Sequence, residues 1–465
     1  MNGPATASQS PQAQPAPTPA EVWHGLLRPD VELAPAFSNE LNARMRAQRL
    51  VFGDRIHCPF LRPFFLTAED EQRVRAVAES IAVLGERVVK QSLADPRLLA
   101  QSALSPEEER LARINPRYAT SSTASRLDAF LLPNSLQFAE YNAESPAGPG
   151  YAETLADVFL TLPVMERFSQ RYTVRKYPLM KQLLAALLAS YREWGGSASP
   201  PVIAIVDWRE VPTWSEFEII QSHFQKDGVA TVLADPRDLV WKSGKLTANG
   251  QRVDLVYRRV LINDIVARPQ ECAALVEAYK SGTVCVANAL TCKIPHKKSF
   301  FAVLTDEQNS ALFNQSEREL IRRHIPWTRL LADTKTTRNG ESFGLLEYVR
   351  KNRENFVLKP NDEYGGTGVQ LGWENNEAQW DAALQRALTD RTSAWVVQER
   401  IAIRREIFPM QTETGIQMRD MLVDFAPYLF RGKMAGCLTR LSSTGLANVT
   451  SGGGQVPSFV VEPRP

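Results

Sequence analysis

The spacing of apolar residues divides the chain into three regions that follow a polar start. Residues 1–20 are rich in proline, alanine, glutamine and serine, so we expect a disordered tail that buries no core. From 21 to 196 the pattern is mainly helical. Thr67 precedes one helix as a cap, and apolar residues recur there at helical intervals, at Val74, Val77, Ile81, Leu84 and Val88. A second helix, Met180 to Trp194, ends at Gly195-Gly196, where we place a domain boundary.

Strands and helices alternate in the second region, residues 197–290. The continuous apolar run Val202 to Val206 is typical of a strand buried on both faces. Further strands are predicted at 230–233, 253–256 and 283–287, with helices at 216–226 and 270–280. This alternation indicates a small α/β module. The third region, 291–465, mixes helices, strands and glycine-rich loops, so the fold class predicted for the whole chain is α/β.

Composition and charge exclude several classes of protein. Hydrophobic residues make up 44% and charged residues 23%, as in ordinary globular proteins. The net charge of +2 is too balanced for a general nucleic-acid binder. No apolar run is long enough for a membrane span, and the first residues do not form the pattern of a secretory signal. Because the five cysteines form no C-x-x-C pair, we expect neither a disulfide framework nor a zinc ribbon. We also expect a cytoplasmic location.

Polar side chains cluster on a predicted hairpin between residues 126 and 142. Residues i and i+2 of a strand face the same side, so Arg126 projects with Asp128, and Glu140 projects with Asn142. The turn Pro133-Asn134-Ser135 joins the two strands. Three of these groups carry the oxygen ligands that Mg²⁺ prefers. A solvent-facing hairpin held by salt bridges is the alternative.

A lysine followed by a glycine-rich loop is the most specific local feature. Lys359 ends an apolar strand, and Gly365, Gly366 and Gly368 follow before another strand begins near Val369. Glycines let backbone N–H groups approach an anion, and a lysine neutralises phosphate charge. A plain hairpin with a tight turn is the alternative. The later strand that contains Gln398-Glu399 is suited to an adenine amino group and a ribose hydroxyl, although an ordinary strand end gives the same pattern.

Together these elements resemble the circularly permuted ATP-grasp ligases of the glutathionylspermidine-synthase-like branch, over roughly residues 120–460 and without an amidase domain. The resemblance implies two α+β lobes that clasp ATP, with the 197–290 module attached. It also implies Asp128, Glu140 and Asn142 as Mg²⁺ ligands, and Arg126 beside the reacting phosphate. Nucleotide contacts are implied for a larger set, namely Lys298, Lys359, Gly365, Gly366, Gly368, Gln398, Glu399 and the late arginine Arg440.

Two assignments within this resemblance stay open. Ordinary ATP-grasp chains place metal ligands after the adenine strand, where this chain offers Asp424 and Asn448; the E-x-N spacing favours the Asp128 set. The phosphate lysine is Lys298 or its neighbour Lys297, and the apolar run that follows favours Lys298. The glycine run Ser451-Gly452-Gly453-Gly454 is expected to close the lobe.

The activity implied is ATP- and Mg²⁺-dependent joining of a carboxylate to an amine through an acylphosphate, with two small-molecule substrates. A catalytically silent nucleotide-binding scaffold and a carboxylate kinase are the alternatives. Neither a nucleic acid nor a membrane is expected as a partner, and assembly into a homo-oligomer is left open.

Overall fold

The computed structural model of the protein describes residues 17–33, 35–52, 55–412, 415–443 and 453–465. Within these ranges the helices are α1 Pro19–Leu33, α2 Pro35–Ala47, α3 Ala68–Ala94, α4 Pro96–Ala100, α5 Pro106–Ala112, α6 Pro149–Leu160, α7 Pro163–Ser169, α8 Leu179–Trp194, α9 Trp214–Lys226, α10 Ile262–Ala267, α11 Ala273–Ser281, α12 Lys293–His296, α13 Ser299–Thr305, α14 Gln315–His324, α15 Leu345–Lys351 and α16 Glu377–Thr389.

The strands are β1 Val51–Phe52, β2 Arg55–Ile56, β3 Phe64–Leu66, β4 Ala124–Leu132, β5 Ser135–Asn142, β6 Tyr172–Arg175, β7 Ile203–Val206, β8 Thr231–Ala234, β9 Leu239–Lys242, β10 Lys245–Ala248, β11 Gln251–Arg252, β12 Leu255–Arg258, β13 Cys285–Ala287, β14 Thr328–Leu330, β15 Lys335–Arg338, β16 Glu341–Gly344, β17 Phe356–Pro360, β18 Gln370–Leu371, β19 Trp395–Glu399, β20 Arg404–Thr412, β21 Gly415–Phe430, β22 Lys433–Ser442, β23 Gly454–Val456 and β24 Ser458–Pro463.

The largest sheet joins strands from both ends of the sequence. Its order is β23-β22-β21-β4-β5, and β20 also pairs with β21. All of these pairings are antiparallel. The predicted hairpin is confirmed as β4 and β5, and its inner strand β4 pairs with β21, almost three hundred residues later in the sequence. The long helix α3 packs against β21 and β22 through a buried apolar stripe that includes Val74, Ile81 and Val88.

A second antiparallel sheet, in the order β14-β19-β17-β18, carries the predicted lysine and adenine strands. Its strand β18 begins at Gln370, one residue after the predicted start. Trp327, Trp380 and Leu384 are among the residues that form a separate apolar core under this sheet. The second sheet and the large sheet therefore form two separate walls, and the second sheet has an apolar core of its own.

The region where strands and helices were predicted to alternate contains a parallel sheet in the order β13-β12-β7-β8. Residues 203–206 of β7 are all buried, as the continuous apolar run predicts. Helices α9 and α11 occupy the predicted positions to within a few residues. The small sheet β11-β10-β9 is attached beside it.

The predicted disordered segment, residues 1–20, extends too far along the chain. Helix α1 begins at Pro19, inside the predicted disordered segment 1–20, and residues 1–16 lie outside the described residues. Trp23 of α1 is fully buried and donates its indole N–H to the carbonyl of Leu61 at 2.9 Å. The helix therefore packs on the main body through Trp23. This residue comes after the segment 1–20, whose composition alone gave the prediction of disorder.

Among the described residues, no helix combines the length and apolar character that crossing a membrane requires.

Candidate active site

A cleft of about 960 Å³, including space open to solvent, is lined by residues of the large sheet on one side and of the second sheet on the other. Nine of the residues predicted from sequence line it: Asp128, Glu140, Lys298, Lys359, Gly365, Gly366, Gln398, Glu399 and Arg440. These residues come from segments spread over more than three hundred positions of the chain. Arg126, Asn142 and Gly368 lie just behind this lining.

The hairpin places its four polar groups as the two-residue period predicts. In the register of β4 and β5, Arg126 is opposite Asn142 and Asp128 is opposite Glu140. Arg126 Nε donates to Asp128 Oδ1 at 2.8 Å, and Asn142 Nδ2 donates to Glu140 Oε1 at 3.1 Å. Asp128 and Glu140 reach the cleft, while Arg126 supports the first carboxylate and Asn142 supports the second.

Arg440 connects the hairpin to the neighbouring strands. On β22 it is the cross-strand partner of Asp424 on β21, and its Nε donates to Asp424 Oδ2 at 2.7 Å. Its guanidinium group also pairs with Asp128. Burial raises the pKa of Asp424 to about 7, and the like charge of Asp128 adds to this shift, although the positive charge of Arg440 opposes it. The Oδ1 atom of Asp424 is buried and has no hydrogen-bond partner among the described residues.

The two neighbouring lysines point to different places. Lys298 lines the cleft, where its Nζ lies 3.4 Å from Glu140 Oε2 and donates to the carbonyl of Glu363. Lys297 instead donates to Glu108 at 2.8 Å and to Asp362 at 2.6 Å, away from the cleft. Of the two lysines, Lys298 therefore reaches the cleft, and Lys297 does not line it.

Lys359 lies on the opposite wall and donates to Gln398 Oε1 at 2.7 Å. Burial lowers the pKa of Lys359 to about 8, although the negative charge of Glu140 opposes this shift. Burial also disfavours the ionised form of Glu140, but the charges of Lys298 and Lys359 outweigh it and hold its pKa below the usual range. The cleft thus presents two ammonium groups beside an ionised carboxylate.

The glycine-rich loop connects β17 to β18 and lies over the same cleft. Gly365, Gly366 and Gly368 have φ angles of 67°, 77° and 74°, in the left-handed region that favours glycine. A Cβ atom on Gly368 would lie 2.7 Å from Pro360 Cγ, so glycine is also needed there for space. The loop is a hairpin connection, as the alternative interpretation proposes, and it also lines the cleft.

The far end of the cleft combines hydrogen-bonding groups with an apolar surface. Gln398 Nε2 donates to Thr328 Oγ1 at 3.2 Å, and Glu399 pairs with Arg338 at 2.6 Å. Apolar side chains that sequence analysis did not single out line the cleft nearby: Phe130, Val357, Val369, Leu371, Trp373, Ile401 and Ile403. An apolar slot beside a few polar groups suits a planar heterocycle. The alternating pattern around Ile401 and Ile403 was the available signal.

No group of three or more histidine, cysteine, aspartate or glutamate side chains is spaced to hold a metal ion in the described part of the chain. Mg²⁺ does not require such a cage, because it commonly binds one or two carboxylates together with substrate phosphates and water. Asp128 and Glu140, which face each other across β4 and β5, fit this pattern. The unpartnered Oδ1 atom of Asp424 would offer a further oxygen to such an ion, whereas Asn448, the other alternative, lies outside the described residues.

Comparison with known proteins finds a family model that covers most of the chain. The model describes circularly permuted ATP-grasp proteins of type 2 and matches residues 72–442. An uncharacterized protein of Mycobacterium tuberculosis is 24% identical over 352 residues, which is 70% of this chain and 57% of that protein. A putative glutamate–cysteine ligase of Frankia alni is 25% identical over 221 residues, 45% of this chain and 24% of that protein. The chain therefore spans a little over half of the Mycobacterium relative and a quarter of the Frankia one.

A solved structure supports the fold independently. The apo form of a glutathione-synthetase-like effector from Globodera pallida aligns with a TM-score of 0.60 and covers 93% of this chain and 98% of its own. The sequence identity of that alignment is 12%, so the likeness concerns the fold alone.

Proposed function

Because this chain belongs to the circularly permuted ATP-grasp type 2 family, we propose that it is an ATP- and Mg²⁺-dependent ligase that joins a carboxylate to an amine. The permuted ATP-grasp fold predicted from the motifs is confirmed. The narrower likeness to glutathionylspermidine synthases stays a prediction, since the Frankia relative is named as a putative glutamate–cysteine ligase. Both names describe ligases that form amide bonds, which is the chemistry proposed for this chain.

The observation that carries this proposal is the convergence of opposite charges in one cleft. Two lysines and an arginine face it together with Asp128, Glu140 and Asp424. Phosphoryl transfer depends on positioning and on neutralising phosphate charge, which such a mixed set of groups provides. A cleft built only to bind a hydrophobic molecule has no need for charged side chains of both signs.

Each group has a role that follows from its place. Lys298 and Lys359 would bind phosphate oxygens from opposite walls, and the apolar slot beside Gln398 and Glu399 would hold adenine. Asp128 and Glu140 would hold Mg²⁺, which neutralises phosphate charge when bound. Arg440 would leave its shared contact with the aspartates and orient the transferring phosphoryl group. Arg126, fully paired with Asp128 and with the carbonyl of Ala147, would hold that carboxylate in place.

In the proposed reaction, a substrate carboxylate oxygen attacks the γ-phosphorus of ATP and ADP departs. The amine then attacks the acyl carbon, inorganic phosphate leaves, and an amide forms. The glycine-rich loop would cover the acylphosphate and limit its hydrolysis, because closing a site over a reactive intermediate excludes water.

The test is release of ADP by the purified chain with Mg²⁺-ATP and a panel of amino acids, short peptides and polyamines. The expected result is ADP release that needs both a carboxylate and an amine, with an amide product detected by mass spectrometry. Asp128→Asn should abolish it. Asp420→Asn is the matched control, because Asp420 is an exposed surface residue on the same strand as Asp424.

Two other results would point to other functions. ADP release that needs a carboxylate but no amine, with hydroxamate formed when hydroxylamine is added, indicates a carboxylate kinase. Nucleotide binding without ADP release for any pair of substrates favours a silent scaffold.

A further inference from the structure

A buried cluster of charged side chains lies next to the glycine-rich loop but does not line the cleft. It contains three carboxylates and three cations, Glu108, Glu144, Asp362, Arg258, Lys293 and Lys297, whose side chains are between 0% and 12% exposed. His296 beside them is neutral at pH 7, since burial lowers its pKa to about 4. The formal charges of the cluster therefore cancel.

The cluster ties together five segments that are distant in sequence. Glu108 is on α5, Glu144 follows β5, Arg258 ends β12, and Lys293 begins α12. Lys293 Nζ lies 3.1 Å from Glu144 Oε2 and 2.9 Å from Asp362, while Arg258 pairs with Glu144 at 3.1 Å. Asp362 is the member of this cluster that belongs to the glycine-rich loop.

Asp362 is the second residue after β17 and is held by two lysines at 2.9 Å and 2.6 Å. Its neighbour Asn361 is equally fixed: it accepts hydrogen bonds from the backbone N–H groups of Lys298 and Ser299. The side chain of Asn361 also donates to the carbonyl of Ser102 at 3.1 Å. The start of the loop and the residue Lys298 thus share one buried anchor.

The loop changes character immediately after this anchor. Glu363, Tyr364 and Gly365 are exposed, whereas Asn361 is only 1% exposed. Two long backbone hydrogen bonds, both 3.3 Å, join Thr367 to Tyr364 and Val369 to Gly366. Apart from the hydrogen bond that Lys298 donates to the carbonyl of Glu363, the segment after Asp362 is therefore mostly exposed and held by longer hydrogen bonds than the anchor.

We propose that Asp362, held by Lys293 and Lys297, is a positioning residue that fixes the hinge of the glycine-rich loop relative to Lys298. The proposal rests on the proposed function, because it assigns this hinge to nucleotide binding in the same cleft. It also separates the roles of two adjacent lysines: Lys298 faces the nucleotide, and Lys297 holds the residue about which the loop closes. A misplaced loop costs affinity even though none of these three residues touches the nucleotide.

A plain structural role for the cluster makes a different prediction. Removing one member of a buried ion pair leaves an uncompensated charge and destabilises the fold, while removing both partners is often neutral. If the cluster only supports the fold, Lys297→Met combined with Asp362→Asn restores both stability and nucleotide binding. If Asp362 positions the loop, the double variant recovers stability but not nucleotide binding.

The experiment measures three quantities in wild type, Asp362→Asn, the double variant and the control Asp381→Asn, which removes an exposed ion pair with Arg350. These are the melting temperature, the Kd of the protein for Mg²⁺-AMP-PNP (AMP-PNP is a non-hydrolysable ATP analogue), and the amide exchange of residues 363–368 with and without that ligand. In wild type and in the control variant, we expect the amides of residues 363–368 to exchange more slowly when the analogue is bound. We expect both Asp362 variants to bind about tenfold more weakly and to lose the protection.

A double variant that regains the wild-type Kd and the wild-type loop protection overturns the inference alone, and so does Asp362→Asn that binds like wild type. Failure of the wild-type chain to bind the analogue overturns the proposed function first, and the inference with it. If Asp362→Asn does not fold, the charge-neutral double variant carries the decision.

Discussion

At the scale of single residues, the cleft holds a lysine whose charge depends on pH near neutrality. Burial places the pKa of Lys359 at about 8 instead of the ordinary value near 10.5. The charges of Glu140 and Lys298 act on it in opposite directions, so the ammonium form is only moderately favoured at pH 7. A bound phosphate favours the charged form and would raise this pKa.

We predict that nucleotide affinity falls above pH 8. Nucleotide binds the protonated lysine, so each molecule of protein that has lost this proton must regain it on binding. The Kd for Mg²⁺-AMP-PNP should therefore rise about tenfold between pH 7 and pH 9. Isothermal titration at several pH values measures this. Lys359→Arg keeps its charge over the range and should show a flat profile; an equal slope in that variant contradicts the assignment.

We predict that Glu140→Gln weakens the binding of Mg²⁺ but has little effect on the stability of the fold. The variant removes one carboxylate from the pair that faces the phosphates and leaves the hydrogen bond from Asn142 an acceptor. The Mg²⁺ concentration for half-maximal ADP release should rise at least about tenfold. The melting temperature should change little, because the side chain of Glu140 is 25% exposed. An unchanged Mg²⁺ dependence would indicate that the metal binds at Asp424 and not at Glu140.

At the scale of elements, sequence analysis was accurate where a local pattern decides the structure. The β4–β5 hairpin was found from the two-residue alternation of Arg126, Asp128, Glu140 and Asn142, and the parallel sheet was found from its apolar strands. The apolar slot of the cleft was missed, since its side chains look like ordinary strand residues until the two sheets meet. The separate directions of Lys297 and Lys298 depend on Glu108 and Asp362, which lie far away in sequence.

The N-terminal boundary gives a prediction for one element. A chain shortened to begin at Val22 loses the first turn of α1 and should be less stable, whereas removal of residues 2–16 should leave the stability unchanged. Trp23→Ala should lower the free energy of unfolding by about 3–5 kcal/mol, because a fully buried tryptophan leaves a cavity. Chemical denaturation of the two deletions and the point variant measures this. Wild-type stability for the chain that begins at Val22 would show that the first turn of α1 contributes nothing.

At the scale of the whole molecule, the cleft joins two sheets that have separate apolar cores. A ligand that binds both walls stabilises the folded state, and a concentration of 100 times its Kd contributes about 2.7 kcal/mol. We predict that Mg²⁺-AMP-PNP raises the melting temperature, that the rise follows the logarithm of ligand concentration, and that EDTA removes it. Differential scanning calorimetry measures this. An equal rise in EDTA would mean that the nucleotide binds without the metal.

The pairing of Arg440 with Asp128 spans 312 positions of the sequence, and this separation matters before the protein is complete. A ribosome that adds about 5–20 residues per second needs roughly 15–60 s to travel that distance. Until β21 is made, β4 has only β5 beside it in the large sheet. Until β21 and β22 emerge, the nascent chain therefore carries an open strand edge, which is a site for pairing with a wrong strand, and an acidic pair without its late arginine.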